Sequence, residues 1–270
     1  VPVMVAMLGF LVKFGLDQGD LRATQDFLFN ARMEDFTAEG ALVALGHALF
    51  TLGVGVGTGI AYGAYSPERI PIARSIVAVA VFDTMIALLA GLAIFPIVFA
   101  NNMEPASGPG LLFISLPYAF GNILQGQLFG AAFFGLLVLV TLGSAVAVME
   151  PIVATLVQQA RITRFTAAIV VASVAWILAG TVVASLVPAV DAEWFGEWNL
   201  FASIDRLAAG TLLPLVALGT AIFVGWRLRP EVLEPQLDRE SRLYFGLWRF
   251  QLRLVVPVAI ALLMLTGLAA

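Results

Sequence analysis

Gly46-His47-Ala48-Leu49-Phe50-Thr51-Leu52-Gly53-Val54-Gly55-Val56-Gly57-Thr58-Gly59 is the stretch that decides how this chain is read. It sits inside a hydrophobic run from about Ala41 to Tyr65. That run is long enough to cross a bilayer, since roughly 20 apolar residues span about 30 Å of hydrocarbon. Yet every second residue from Gly53 to Gly59 is glycine, and each interior glycine costs a helix roughly 1 kcal/mol relative to alanine. Such a run directly after the Thr51 hydroxyl points to a helix that comes apart in the membrane. Non-helical backbone is tolerated at that depth only where it lines a cavity or is buried in protein. The competing reading is a glycine face for close helix packing. Spacing alone leaves both open.

Composition sets the class. Of 270 residues, 61% are hydrophobic and only 12% charged, with a mean hydropathy of +0.99. The apolar runs are continuous rather than alternating. That predicts an all-α, polytopic membrane protein and disfavours a transmembrane barrel. There is no cysteine, which excludes disulfides and thiolate metal sites. The net charge of −4 comes without a basic patch for nucleic acid. The chain begins Val-Pro-Val with no basic flank of a signal peptide. Its first apolar run is short, so it is expected to begin inside a helix and to be incomplete at its N-terminus.

About seven spans are expected, in a single transmembrane domain over residues 1–270. Val1 to about Leu16 is the first, followed by a polar loop over 17–39, where Thr37 can cap the next helix. Span two, about Ala38 to Tyr65, carries the glycine stretch. Span three, about Ile72 to Ala100, holds one acid, Asp83. Residues 101–127 contain Pro105, Pro109 and Pro117 but stay apolar, which predicts a packed helical hairpin rather than a solvated linker. Span four is about Leu128 to Leu156 and span five about Phe165 to Val187. An acidic, aromatic loop at Asp191–Trp198 suits a membrane interface. Span six is about Phe201 to Trp226, an amphipathic connector covers 227–246, and span seven is about Leu247 to Ala269.

Basic residues set the orientation. One set of helix ends holds Arg69, Arg74, Arg161, Arg164, Arg227, Arg229, Arg239, Arg242, Arg249 and Arg253; the other holds Lys13, Arg22, Arg32 and Arg206. Ten against four puts the turns after spans two, four and six, and the 227–246 connector, in the cytoplasm. The 17–39 loop and the 101–127 hairpin then face outside, as does the C-terminus. The expected location is the inner (plasma) membrane.

The stretch from Gly46 to Gly57, followed by Tyr62 and Tyr65, resembles the broken sixth helix of the neurotransmitter:sodium symporters. Leu142-Gly143-Ser144-Ala145-Val146-Ala147-Val148-Met149-Glu150-Pro151 is similar to their eighth helix, and Asp205-Arg206-Leu207-Ala208-Ala209-Gly210-Thr211 to the start of their tenth. Gly110-Leu111-Leu112-Phe113-Ile114-Ser115-Leu116-Pro117 matches their extracellular hairpin. The resemblance runs in order over nearly the whole chain and implies helices five to eleven of an eleven-helix, bacterial-type member. It implies part of an inverted-repeat, broken-helix (5+5) fold, for which this family is itself the standard illustration. Helices one to four are absent on this alignment, so the chain alone is not expected to transport.

The resemblance also implies roles. Sodium, a hard cation, takes oxygen ligands. Thr51 would ligate the sodium beside the substrate carboxylate; otherwise its hydroxyl bonds back one turn. Asp83 falls where the family usually has an asparagine ligand to that sodium. Chloride-dependent members use a serine one turn later, which is Ala87 here. Asp83 would therefore supply the negative charge and make transport chloride-independent, the alternative being a protonated acid bonded to a neighbouring helix. Ser144 and the Val140 carbonyl match the second sodium site, although Gly143 lacks the expected side-chain oxygen. Ser144 could equally be a small residue at a helix interface. Phe50, Gly53, Val56, Ser144 and Val148 would line the substrate, and small Gly53 and Val56 favour a bulky hydrophobic amino acid. Asp205 would be an outer-gate acid, or simply an acid placed well at a helix N-terminus. His47, the sole histidine, lies near the gate, either titrating near neutral pH or hydrogen-bonded in place. Glu150, beside Pro151, reads as structural.

The expected function is sodium-coupled symport of an amino acid or related amine, in the lipid bilayer, with a homodimer allowed. The alternatives are an inverted-repeat, cation-coupled symporter of another substrate class and a truncated, non-transporting membrane subunit. No intramembrane Ser/His pair, metal-binding cluster or nucleotide loop points to an enzyme.

Overall fold

A backbone surrounded by hydrocarbon must satisfy its own hydrogen bonds, and continuous apolar runs do so as helices. In a computed structural model, residues 2–30, 36–67, 70–103, 110–122, 124–185, 200–237 and 242–269 are described, and among them every regular element is helical. The order is α1 (Pro2–Gln18), α2 (Leu21–Phe29), α3 (Ala38–Thr51), α4 (Thr58–Tyr65), α5 (Ile72–Ala100), α6 (Leu116–Gly121), α7 (Gly126–Gln159), α8 (Arg164–Ser185), α9 (Leu200–Asp205), α10 (Leu213–Ile222), α11 (Pro230–Leu233), α12 (Arg242–Phe250) and α13 (Val256–Ala269). Among the described residues, five continuous stretches are long and apolar enough to span a membrane: Ile72–Ala100, Gly126–Gln159, Arg164–Ser185, Leu200–Arg227 and Tyr244–Thr266. The other two expected spans are α1, with 17 residues, and the interrupted pair α3 and α4.

Wide π turns interrupt several helices, and three have one cause. Leu111–Ser115, Arg206–Leu212 and Gln251–Val255 are each followed, two residues on, by a proline: Pro117, Pro214 and Pro257. Proline has no N–H to give, and its ring crowds the carbonyl four residues back. Those carbonyls belong to Phe113, Gly210 and Arg253. Opening the turn relieves the clash.

The chain packs as two compact units, 1–36 with 79–145 and 37–78 with 146–270. In the first, Leu11, Ala93, Ile97, Val98, Leu116, Ala119, Phe120 and Phe129 are buried together. Gly15 makes this possible. A Cβ there would stand 2.7 Å from the Ala93 carbonyl and 2.9 Å from that of Leu92, the oxygen that Pro96 leaves without its helical donor. The 17–39 region is not wholly loop. Asp20 caps α2 by accepting from Ala23 N–H at 3.1 Å, and its own N–H donates to the Pro96 carbonyl at 2.9 Å. Phe27 of α2 rests on Phe95 and Phe99.

In the second unit, Leu49, Leu213, Ala217 and Ile260 form one core, where α3, α10 and α13 meet. Val153, Ala167 and Val171 form another between α7 and α8. Thr37 caps α3, accepting from Gly40 N–H at 3.0 Å. Within the expected 101–127 hairpin, the described part is a single helical segment through α6 and then a turn. The connector over 227–246 holds α11 and a 3-10 turn at Glu234–Gln236. The acidic, aromatic loop Asp191–Trp198 lies outside the described residues, as do Arg32, Arg69 and Arg239 of the charge count.

Candidate functional site

The glycine run is where α3 stops and α4 starts. Gly53, Gly55 and Gly57 adopt φ of +64°, +93° and +89°. An L-residue pays roughly 1–2 kcal/mol in that region, so alternating glycines let the chain leave and re-enter helical geometry within six residues. The α3 end is closed by Leu52 N–H to Ala48 O (3.2 Å), Gly53 N–H to Phe50 O (3.1 Å) and Val54 N–H to Leu49 O (2.9 Å). The α4 start is closed by Ile60 and Ala61 N–H on Gly57 O, both at 3.1 Å. Between them, the carbonyls of Thr51, Leu52, Val54, Gly55 and Val56 take no hydrogen bond among the described residues. The break thus gathers unsatisfied oxygens, the donor set a hard cation wants.

Packing and unwinding are combined rather than alternative. A Cβ on Gly55 would lie 2.5 Å from the Leu213 carbonyl, so the break sits directly against α10. Gly59, by contrast, is helical with nothing within 4 Å.

Phe50, Thr51, Gly53 and Val56 lie on this break, and His47 one turn before Thr51 on α3. Phe50 is 57% exposed, and His47 and Thr51 are exposed too. Val56 is half-buried and packs on the Leu49–Leu213–Ala217–Ile260 core. The Thr51 hydroxyl reaches the Ala48 carbonyl only at 3.5 Å, the outer edge of hydrogen bonding. Other hydroxyls on these helices bond back firmly: Thr155 to Pro151 O at 2.7 Å, Thr220 to Val216 O at 2.8 Å and Thr84 to Ala80 O at 3.0 Å. Val148, exposed on α7, and Asp205, exposed at the end of α9, belong to the same unit as the break.

Asp83, Val140 and Ser144 belong to the other unit. Asp83 is half-buried on α5 and accepts no hydrogen bond among the described residues. Val140 and Ser144 stand one turn apart on α7, both exposed.

Glu150, which reads as structural in the sequence, ties three helices together. Its Oε1 accepts from the Tyr65 hydroxyl at 2.8 Å, and its Oε2 from an Arg164 guanidinium N–H at 2.6 Å. One carboxylate thereby fastens the end of α4 to α7 and to the start of α8. Glu150 is largely covered while Arg164 is mostly exposed, so salt weakens the ionic arm. Glu150→Gln is expected to lower the thermal unfolding midpoint by a few degrees at low salt, with the difference shrinking in high salt. Tyr65→Phe, which leaves the ion pair intact, is expected to give a salt-independent change. The sequence signal was an acid beside Pro151 with tyrosine and arginine at the neighbouring helix ends; their convergence was not visible.

Residues 5–270 match the sodium:neurotransmitter symporter family. A sodium-dependent transporter of Haemophilus influenzae is 29% identical over 90% of this chain and 53% of its own length. The sodium-dependent transporter YhdH of Bacillus subtilis is 30% identical over 98% of this chain and 59% of its own. The crystal structure of MhsT in complex with L-phenylalanine superposes with a TM-score of 0.87 at 32% identity, covering 98% of this chain and 60% of that one. The chain thus spans somewhat over half the length of these relatives. The glycine-opened break between α3 and α4, the helical membrane fold and a match over nearly every residue agree: this chain belongs to the sodium:neurotransmitter symporter family.

Proposed function

We propose that this chain is part of a sodium-coupled symporter that moves an amino acid by alternating access. The observation that carries the reading is the break itself: glycines at positive φ every second residue, carbonyl oxygens without donors, and a Thr51 hydroxyl barely engaged beside them. Relatives named as sodium-dependent transporters support the coupling ion. MhsT, solved with L-phenylalanine, supports an amino-acid substrate.

Sodium is here a co-transported substrate. Thr51, through its hydroxyl and carbonyl, and the Asp83 carboxylate are assigned as sodium ligands. The Ser144 hydroxyl and the Val140 carbonyl are assigned to a second sodium position. Phe50, Gly53, Val56, Ser144 and Val148 line the substrate path, with the exposed Phe50 ring as its largest apolar surface. Asp205 and His47 form part of the outer gate. Asp83 carries a fixed negative charge and Ala87 offers no hydroxyl, so chloride is not required. Sodium binding stabilises the substrate-bound state, and the inward sodium gradient drives accumulation. The protein lies in the plasma membrane with its arginine-rich turns on the cytoplasmic side, which puts the C-terminus outside.

The test is uptake of labelled amino acid by the complete transporter in proteoliposomes. Accumulation is expected with an inward sodium gradient, lost when choline replaces sodium, and unchanged when gluconate replaces chloride. Leucine, phenylalanine and tryptophan are expected to compete better than glycine or alanine. Uptake that ignores sodium overturns the reading. Strict chloride dependence overturns the role given to Asp83.

A further inference from the structure

The last two spanning stretches meet at a crossing apart in sequence from every residue assigned above to sodium, substrate or gate. Each opens into a π turn there, Phe223–Arg227 in one and Gln251–Val255 in the other. Gly225 is the contact point; a Cβ on it would stand 3.1 Å from the Leu252 carbonyl. The Arg253 carbonyl, orphaned by Pro257, accepts from the Trp226 indole N–H at 3.2 Å. Arg253 in turn donates from Nε to the Gly225 carbonyl at 2.7 Å and lies 5.9 Å from the centre of the Trp226 ring. One turn away, Arg249 donates to the Leu228 carbonyl at 3.3 Å, and its buried Nε has no partner among the described residues.

Arg227 and Arg229 flank this crossing and are exposed. Among the described residues, none of Arg227, Arg229, Arg249 and Arg253 is paired with a carboxylate. Each guanidinium has five donors, and Arg249 and Arg253 each spend one on a carbonyl. Four arginines therefore lie on the last turns of these two helices and the residues just beyond, with most of their donors uncommitted.

The depth is set by length. The helical stretch from Arg242 to Ala269 is continuous. At ~1.5 Å per residue it is roughly 40 Å long, against about 30 Å of hydrocarbon. α13 carries no charged side chain, while Arg249 and Arg253 lie on the Arg242 side of it, which places that side at the membrane surface. That end carries the amphipathic α12, and the exposed Leu247, Phe250 and Trp226 lie beside the arginines. Aromatic side chains beside basic ones are the composition of the headgroup layer.

We propose that Arg227, Arg229, Arg249 and Arg253 form a binding site for the phosphodiester headgroup of an anionic membrane lipid, whose acyl chains lie along Trp226, Leu247 and Phe250. Lipid is favoured over soluble phosphate because the cations border an exposed apolar surface at the edge of the hydrocarbon.

The test is native mass spectrometry of the purified protein in detergent, titrated with phosphatidylglycerol, phosphatidylcholine or inorganic phosphate. Phosphatidylglycerol is expected to bind at least about fivefold more tightly than phosphatidylcholine, and Arg227→Gln/Arg229→Gln to weaken it by about fivefold per arginine, from ~1 kcal/mol per basic residue near an anionic surface. Arg249→Gln is expected to weaken it similarly, and Arg22→Gln, an exposed arginine of the other compact unit, to leave it unchanged. The Arg227/Arg229 pair is exposed, so that variant tests the site even if Arg249→Gln fails to fold. Equal binding of the two lipids, an unaltered affinity in the Arg227/Arg229 variant, or displacement of the lipid by millimolar inorganic phosphate overturns the proposal.

Discussion

Gly55→Ala is expected to unfold the site, while Gly59→Ala, four residues on in the same motif, is expected to be harmless. At Gly55 the backbone sits at φ +93°, and the added methyl would lie 2.5 Å from the Leu213 carbonyl and 3.3 Å from the Ala217 amide. The first term costs roughly 1–2 kcal/mol and the second about 1–3 kcal/mol for overpacking. Neither neighbour can yield cheaply, because Leu213 and Ala217 are backbone of α10 and are themselves buried. A loss of roughly 2–5 kcal/mol is therefore expected. It would show as a large fall in the thermal unfolding midpoint of the detergent-solubilised protein. Gly59 is helical and faces open space, so alanine there should hold the midpoint or raise it, by up to about 1 kcal/mol of helix propensity. Equal behaviour of the two variants would mean that glycine spacing, and not the geometry of the break, is what matters.

Asp83→Asn is expected to raise the sodium concentration for half-maximal uptake by at least about tenfold, a loss of ~1.4 kcal/mol. A full charge about 4 Å from a cation interacts by about 4 kcal/mol at an effective dielectric of 20, and the asparagine carbonyl would return only part of that. Asp83 is half-buried in a spanning helix with no hydrogen-bond donor among the described residues. A carboxylate kept in such a place needs a partner, and a bound sodium would be one. Asp83→Glu keeps the charge and is expected to retain chloride independence. Unchanged sodium dependence in Asp83→Asn would remove Asp83 from the site.

Local features were legible in the sequence. Thr37 acts as the N-cap because capping involves only four consecutive residues, Thr37 to Gly40. The break was legible because glycine replaces apolar side chains within one helix. α2 was hidden because its nine residues gain little from periodicity. It is held by Asp20 bonding to Pro96 and by Phe27 on Phe95 and Phe99, contacts some seventy residues away. The π turns follow prolines that were plain in the sequence, but a proline dictates only that a helix must give way.

The sequence by itself determined the class, the order of the helices, the place of the break and the family resemblance. Those follow from hydropathy, from backbone preference and from motifs contiguous in the chain. Only the tertiary structure decided what each glycine is for, with Gly53, Gly55 and Gly57 unwinding the backbone, Gly55 also touching α10, and Gly59 doing neither. It likewise gave Glu150 its two partners and brought Trp226 to Arg253. The reason is physical. A close approach or a side-chain hydrogen bond depends on the rotation and depth of two helices against each other, and those are set by the packing of whole faces, not by any one segment.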